Sequence, residues 1–272
     1  MSAPVARLSV PKLPNAGWRI TSILTAIAVV AVLHVFALRG TDFEVAALVT
    51  GAEGMASFLA DAFPPDMDWE GVLAPALKAT TVTLWIGLLG TTLSIPGALL
   101  LAVFASRTTT PHRAVYQLSR AILSFFRAVP DIVFALIFVT AVGLGPFAGV
   151  LALICHNTGV MGKLWAESME ETDNGPQQAL STAGASRLQQ VTHAALPMVL
   201  GQFVGLLLYR FDVNVRSSLV LGLVGAGGIG LLINQSIKSF RFDAMATQIV
   251  VVLVLIILVD QLSSFIRRKL EV

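Results

Sequence analysis

Apolar residues in this chain gather in long unbroken runs, not in the alternating or one-faced patterns of water-soluble elements. A helix needs about 20 such residues to cross a bilayer core, at about 1.5 Å per residue. Runs at 20–38, 79–104, 131–144, 148–166, 198–222 and 244–264 predict six transmembrane helices. The first is too long for the apolar core of a cleavable signal, about 7–15 residues, and VFALRG is a poor cleavage site, so it is expected to be retained. The second contains Pro96 and Gly97, where neighbouring helices would have to satisfy a broken backbone. The third is short, a span that either stands alone or begins inside the preceding helix, and GPFAG at 145–149 punctuates it.

The segments between the runs are also patterned. Thr110 as a cap, with Pro111 at the first helical position, predicts a helix. Arg113, Arg120 and Arg127 recur every seven residues and are expected either to form one stripe on a helix lying along the inner membrane surface or simply to anchor the topology. The segment 167–197 opens with Glu167, Glu170, Glu171 and Asp173. It then reads as helix, turn at 184–186, helix, and a break at Pro197. A DNA-reading helix-turn-helix would need several basic residues for phosphate contacts, and Arg187 is the only Lys or Arg after those acids. A membrane-tethered elbow for a protein partner fits better.

Composition agrees with a membrane-embedded chain. Of 272 residues, 56% are hydrophobic and 12% charged. That is about half the charge of a soluble domain, which argues against a soluble enzyme, a disordered chain or a nucleic-acid binder. The predicted class is an all-α polytopic membrane protein. Arg7, Lys12, Arg19, Arg107, Arg113, Arg120, Arg127, Arg267, Arg268 and Lys269 all fall on one side of six spans, which places both termini in the cytoplasm. The segment 39–70 holds seven acids against Arg39 alone and is expected outside. Four parts follow: a cytoplasmic tail at 1–19, a first helix and acidic outer segment at 20–74, a core at 75–266, and a basic cytoplasmic tail at 267–272.

No catalytic or metal-binding constellation is visible. His34, His112, His156 and His193 are scattered, Cys155 is the single cysteine, and no phosphate-binding loop of the GxxxxGK[ST] type occurs. Gly225, Gly227 and Gly230 satisfy GxGxxG, but position 250 is valine where a dinucleotide site wants an acid, and the stretch lies between spans. Gly225, Gly227, Gly228 and Gly230 are read as a non-helical stretch that forms either a gate at a pore mouth or a simple turn. Arg210, Asp212, Asn214 and Arg216 interrupt the fifth run near mid-membrane. Intramembrane charge usually faces a polar interior. Asp212 and Arg216 pair at i,i+4, as do Arg210 and Asn214. The pattern is expected either to line a path for an anion, with Arg210 the freer and partly hydrated charge, or to lock helix packing.

These features together resemble the permease subunit of bacterial type I ABC importers. In that family the elbow carries Glu-Ala-Ala, three residues, Gly, nine residues, Ile, one residue, Leu-Pro. Here Gln178, Ala179 and Leu180 hold the first three positions, then Gly184, Ala194, and Leu196 with Pro197. Gln178, Leu180 and Ala194 depart from the pattern, and the glycine and Leu-Pro spacing is kept. From about residue 75 onward the chain is most similar to phosphonate-importer permeases, through FFRAVPDIVFALIF (125–138), VGLGPFAGVLAL (142–153), TGVMGKLWAE (158–167) and YRFDVNVRSSLVLGLVGAGGIG (209–230).

The resemblance implies a MetI-like fold in a bacterial plasma membrane. It implies a homodimer of two permease copies, served by two cytoplasmic ATPase subunits that hold ATP and Mg and by an extracytoplasmic binding protein. This chain itself would bind no cofactor. The solute would be phosphonate, phosphate or phosphite, moved by alternating access. A membrane-embedded enzyme and an ATP-independent secondary transporter are the competing classes.

Overall fold

The computed structural model describes residues 16–270. These are helices joined by turns, with no strand among the described residues. They divide into two compact units, at residues 1–57 and 58–272. The described part of the first unit holds α1 (Ala16–Gly40), α2 (Ala46–Thr50) and the start of α3 (Ala52–Ala62). Helix α1 is long and apolar enough to cross a membrane, and its described side chains are exposed.

The second unit begins within α3. Asp68 then caps a wide, π-type turn over Trp69–Leu73, its Oδ2 accepting from the Gly71 N–H at 2.8 Å. That turn runs into α4 (Ala74–Ala105), which continues through Pro96 without interruption. There follow α5 (Arg113–Ala128), α6 (Asp131–Val142), α7 (Pro146–Glu171), α8 (Gly175–Thr182), α9 (Arg187–Gln190), α10 (Leu196–Leu223), α11 (Ile229–Lys238) and α12 (Phe242–Leu270).

Among the described residues, five stretches are long and apolar enough to span: Trp18–Gly40, Trp69–Ala105, Pro146–Glu171, Arg187–Leu223 and Phe242–Lys269. The expected span at 131–144 differs. It is the 12-residue α6, about 18 Å long, too short to cross alone. It joins α5 at a bend of 86°, so only the bent pair makes a sixth span. Pro130 sets the bend, because Val129 before it is extended and cannot continue α5. His156 of α7 lies 3.1 Å from the Val129 carbonyl, and so satisfies an acceptor left open at that break.

Two other expectations are corrected. The cap of α5 is His112, whose Nδ1 accepts from the Ala114 N–H at 3.1 Å. The Thr110 hydroxyl instead donates to the His112 carbonyl, which shifts the helix start beyond Pro111. The break expected at Pro197 is also absent. A π-type turn over Val191–Ala195 precedes it, with the Leu196 N–H bonded to the Val191 carbonyl, and Pro197 falls in the first turn of α10, where its missing N–H costs little.

The core is layered along α4. Ala98, Ala102, Leu123, Met161, Trp165, Met169 and Phe203 form one buried cluster, with Trp165 stacked on Phe203 at 4.6 Å. Ile86, Phe134, Leu153, Leu221 and Ala226 form a second, and Ala76, Ile229, Ile233, Met245 and Val252 a third. Small residues let the helices approach closely. A Cβ on Gly87 of α4 would lie 2.7 Å from Val215 Cγ2 of α10. Leucine and valine side chains along the outer faces of α4 and α12 stay exposed, as a hydrocarbon environment permits.

Candidate functional site

Four polar residues predicted from the sequence lie on α10, and the structure divides them into two pairs. Two positions along a helix are about 200° apart around its axis. Arg210 and Asn214 therefore point one way, and Asp212 and Arg216 another.

Arg210 and Asn214 point between α4 and α7. Arg210 donates from Nε to Asn157 Oδ1 at 2.8 Å and from Nη2 to Asn214 Oδ1 at 3.3 Å. Asn157 in turn donates to Ser94 Oγ at 2.7 Å, and Asn214 donates to Thr91 Oγ1 at 2.8 Å. All five residues are buried, Arg210 at 9% exposure and Asn157 at 0%. A continuous polar network therefore ties α4, α7 and α10 together in the middle of the bundle. None of the Arg210 hydrogen bonds goes to a carboxylate, and the side chain is enclosed within this chain. Two amide oxygens replace the water it would otherwise need.

Asp212 and Arg216 point toward α12. Arg216 Nη2 lies 2.8 Å from Asp212 Oδ2 and 3.6 Å from Asp260 Oδ1. The Arg216 side chain is 50% exposed and that of Asp212 only 8%. Asp212 Oδ1 is buried and has no hydrogen-bond partner among the described residues. Arg216 is thus the accessible guanidinium of α10, flanked by two acids.

The glycine stretch folds into a tight turn between α10 and α11. Gly225, Gly227 and Gly228 have φ of 97°, 82° and 73°, a left-handed backbone that other residues adopt at a cost. Gly230 lies within α11 against Gly222, where a Cβ on Gly222 would come within 2.8 Å of Gly230 Cα. The turn is held by the Gly145 N–H donating to the Gly225 carbonyl at 3.0 Å and the Ile229 N–H to Thr83 Oγ1 at 2.8 Å. Gly225 and Gly227 are buried and Gly228 half-buried, so the turn packs on α4 and the start of α7. With no strand beside it, GxGxxG here has no dinucleotide context.

The 167–197 segment forms a helical hairpin of α8 and α9. Gly184 has φ 85° and ends α8 in a Schellman arrangement: the Ala185 N–H reaches the Leu180 carbonyl at 3.0 Å and the Gly184 N–H the Ser181 carbonyl at 3.0 Å. Ser186 and Gln189 then form a reciprocal capping box at the start of α9. Of the positions picked out by pattern, Gln178, Ala179, Gly184 and Pro197 are exposed, and Leu180 and Leu196 are half-buried. Ala194 is buried, and Leu196 packs against the core. The first group presents an outer surface and the second anchors it.

The hairpin is tied to α5 and its preceding loop. Arg187 donates to the Thr110 carbonyl at 2.6 Å. Glu170 at the end of α7 accepts from Arg120 Nη2 at 3.2 Å and from the Arg107 N–H at 2.8 Å. Arg107 Nε donates to the Tyr116 hydroxyl at 3.1 Å, which holds that guanidinium above its usual pKa range. Arg120 also lies over the Tyr116 ring at 5.2 Å. Asn157, Thr91, Ser94 and Asp260 were not singled out from the sequence, and Glu170 was named there only as one of the acids that open the 167–197 segment. A lone carboxamide in the apolar run of α7 was the available signal for Asn157. Asp260 could be found only through its neighbour in space. No group of side chains suited to a metal ion occurs among the described residues.

Residues 94–272 match the family described as binding-protein-dependent transport system inner membrane component. Over 232 residues, 84% of this chain, the sequence is 38% identical to a phosphate-import permease of Mycolicibacterium smegmatis, and it spans 42% of that protein's length. It is 36% identical over 225 residues to a phosphite transport system permease of Stutzerimonas stutzeri, covering 82% of this chain and 80% of that one. In fold, it is similar to a chain of the inward-facing MetNI methionine ABC transporter, with a TM-score of 0.63 at 22% identity over 75% of this chain and 99% of that one.

Proposed function

Because this chain belongs to the family of binding-protein-dependent transport system inner membrane components, we propose that it is the membrane pathway of an ATP-driven importer for a phosphorus oxyanion. Phosphonate, phosphite and phosphate are the solute class, in keeping with the relatives named for phosphate and phosphite. Two copies form the pore, two cytoplasmic ATPase subunits holding ATP and Mg each receive one α8–α9 hairpin, and an extracytoplasmic binding protein delivers the solute. The chain itself is non-catalytic and crosses the plasma membrane with both termini inside.

The observation that carries this reading is one uninterrupted helix over Arg187–Leu223. It begins in the hairpin that would meet the ATPase and carries Arg210, Asp212, Asn214 and Arg216 in its membrane half. Closing the ATPase pair on ATP would move the hairpin, and α10 would pass that motion to the polar residues, switching the pore between outward and inward states. Arg216 supplies the positive potential, since its side chain is accessible and only partly neutralised. A permeating anion needs attraction enough to offset desolvation, yet weak enough for release. Arg210 holds the helices in register. The turn at 225–228 forms the outer constriction.

The deciding experiment is uptake into proteoliposomes holding the chain, its ATPase and its binding protein. Phosphate, phosphite and methylphosphonate are tested with ATP and with a non-hydrolysable analogue. ATP-dependent accumulation of at least one is expected. Accumulation driven by an ion gradient without ATP would replace this reading with a secondary transporter.

A further inference from the structure

The joint between the hairpin and α5 contains a cavity of about 570 Å³, lined by Arg107, His112, Arg113, Tyr116, Gln117 and Arg187. Its three guanidiniums come from the loop before α5, the first position of α5 and the first position of α9. No carboxylate lines it. None of Arg107, Arg113 and Arg187 forms an ion pair among the described residues. The nearby acid, Glu170, is already engaged by Arg120 and by the Arg107 backbone.

Two of the guanidiniums are fixed by neutral acceptors: Arg107 by the Tyr116 hydroxyl at 3.1 Å and Arg187 by the Thr110 carbonyl at 2.6 Å. Each bond uses one of five N–H donors, so the fork is oriented while most of its donors remain for a ligand. The cavity also borders the positive end of α5, a 16-residue helix. Three cations around one opening, two of them held in place, repel each other unless an anion joins them. A tetrahedral oxyanion matches their paired N–H groups.

We propose that this cavity binds a phosphate-type oxyanion, either free or as the phosphate of an anionic lipid headgroup. The bound anion fastens the α8–α9 hairpin to α5 and so sets how freely the hairpin moves. The site is formed by this chain alone and does not depend on the transport reading.

The test follows arginine modification by phenylglyoxal, resolved by peptide mass spectrometry on the full chain. In dodecyl maltoside micelles, inorganic phosphate is compared with chloride at equal ionic strength. In phosphate-free nanodiscs, phosphatidylglycerol is compared with phosphatidylcholine. Phosphate is expected to slow modification of Arg113 and Arg187 about tenfold, as loss of a charge-assisted hydrogen bond implies, while Arg39 and Arg127 keep their rates. Arg107→Gln should remove that protection from the other two. Protection by phosphatidylglycerol alone assigns the ligand to lipid, and protection by phosphate assigns it to the free anion. Equal rates for Arg113 and Arg187 under all four conditions, or protection no greater than at Arg39 and Arg127, would overturn the site. Because the primary readout is the unaltered chain, misfolding of a variant does not obscure it.

Discussion

Arg210 and Asn157 meet across the contact between α10 and α7 at 2.8 Å, both buried. That bond joins the charge expected to be most exposed to solute with a carboxamide from the helix at the centre of the core. Its consequence is a division of labour on α10: one arginine binds the helices together, and the other, Arg216, stays accessible beside two acids.

Removing Arg210 should therefore damage assembly first. Arg210→Ala strands the acceptors of Asn157 and Asn214, and each unsatisfied buried group costs about 1–3 kcal/mol. A lower thermal midpoint and reduced yield of complex are expected, with uptake per assembled complex falling less than yield. A variant of normal stability with lost uptake would place Arg210 in the solute path.

Arg216 should behave in the opposite way. Arg216→Gln leaves the buried Asp212 without its partner, at a cost of about 1–3 kcal/mol once the half-exposed arginine is discounted for solvent. Adding Asp212→Asn should restore stability, since the stranded charge is gone, while oxyanion uptake stays low. Normal uptake by that double variant would show that Arg216 only balances Asp212.

At Gly184, the conformation is costly and the space is not. A Cβ there meets nothing within 4 Å, but φ is 85°. Asparagine tolerates that backbone better than alanine, and alanine better than valine. Co-purification of the ATPase should fall in that order, the alanine variant losing about 1 kcal/mol of hairpin stability. Membrane insertion should be unchanged. Equal recovery of ATPase with Gly184→Val would detach the hairpin from docking.

Gly227 is constrained by both conformation and contact. A Cβ there would lie 2.7 Å from Pro146 N, at φ 82°. Gly227→Ala should lower stability by about 1–3 kcal/mol and reduce transport, and Gly227→Leu should abolish transport in whatever complex survives. Wild-type uptake by Gly227→Leu would make the turn a passive connection.

Topology can be checked in a Cys155→Ala background. Met55→Cys should react with an impermeant maleimide from outside intact cells, and Gln178→Cys only after permeabilisation. Labelling of position 178 from outside would invert the orientation.

Much of the architecture was legible because membrane insertion depends on length and apolarity, which are local. Five of the apolar runs became long helices, and Gly184 stands at the turn between α8 and α9. What escaped depended on neighbours. Helix α6 looked like a span because its residues are apolar, yet Pro130 turns the backbone by 86° and leaves only 12 residues beyond. A break at Pro197 was a fair reading of proline alone, but the wide turn before it absorbs the missing donor. Arg210 looked free because no acid stands at i±4. Its partners Asn157 and, through Asn214, Thr91 are brought to it by tertiary packing from 53 residues away and more.

The unbroken helix from Arg187 to Leu223 has an evolutionary corollary. Each residue added to or lost from a helix rotates everything beyond it by about 100°. A one-residue insertion between 196 and 209 would turn Arg210 out of its slot and swing Arg216 away from Asp260, even if every side chain were kept. A one-residue insertion at 173–174, in the turn before α8, would leave that phasing untouched. Along this segment, natural variation should therefore preserve residue count more strictly than residue identity, with indels confined to the turn before the hairpin.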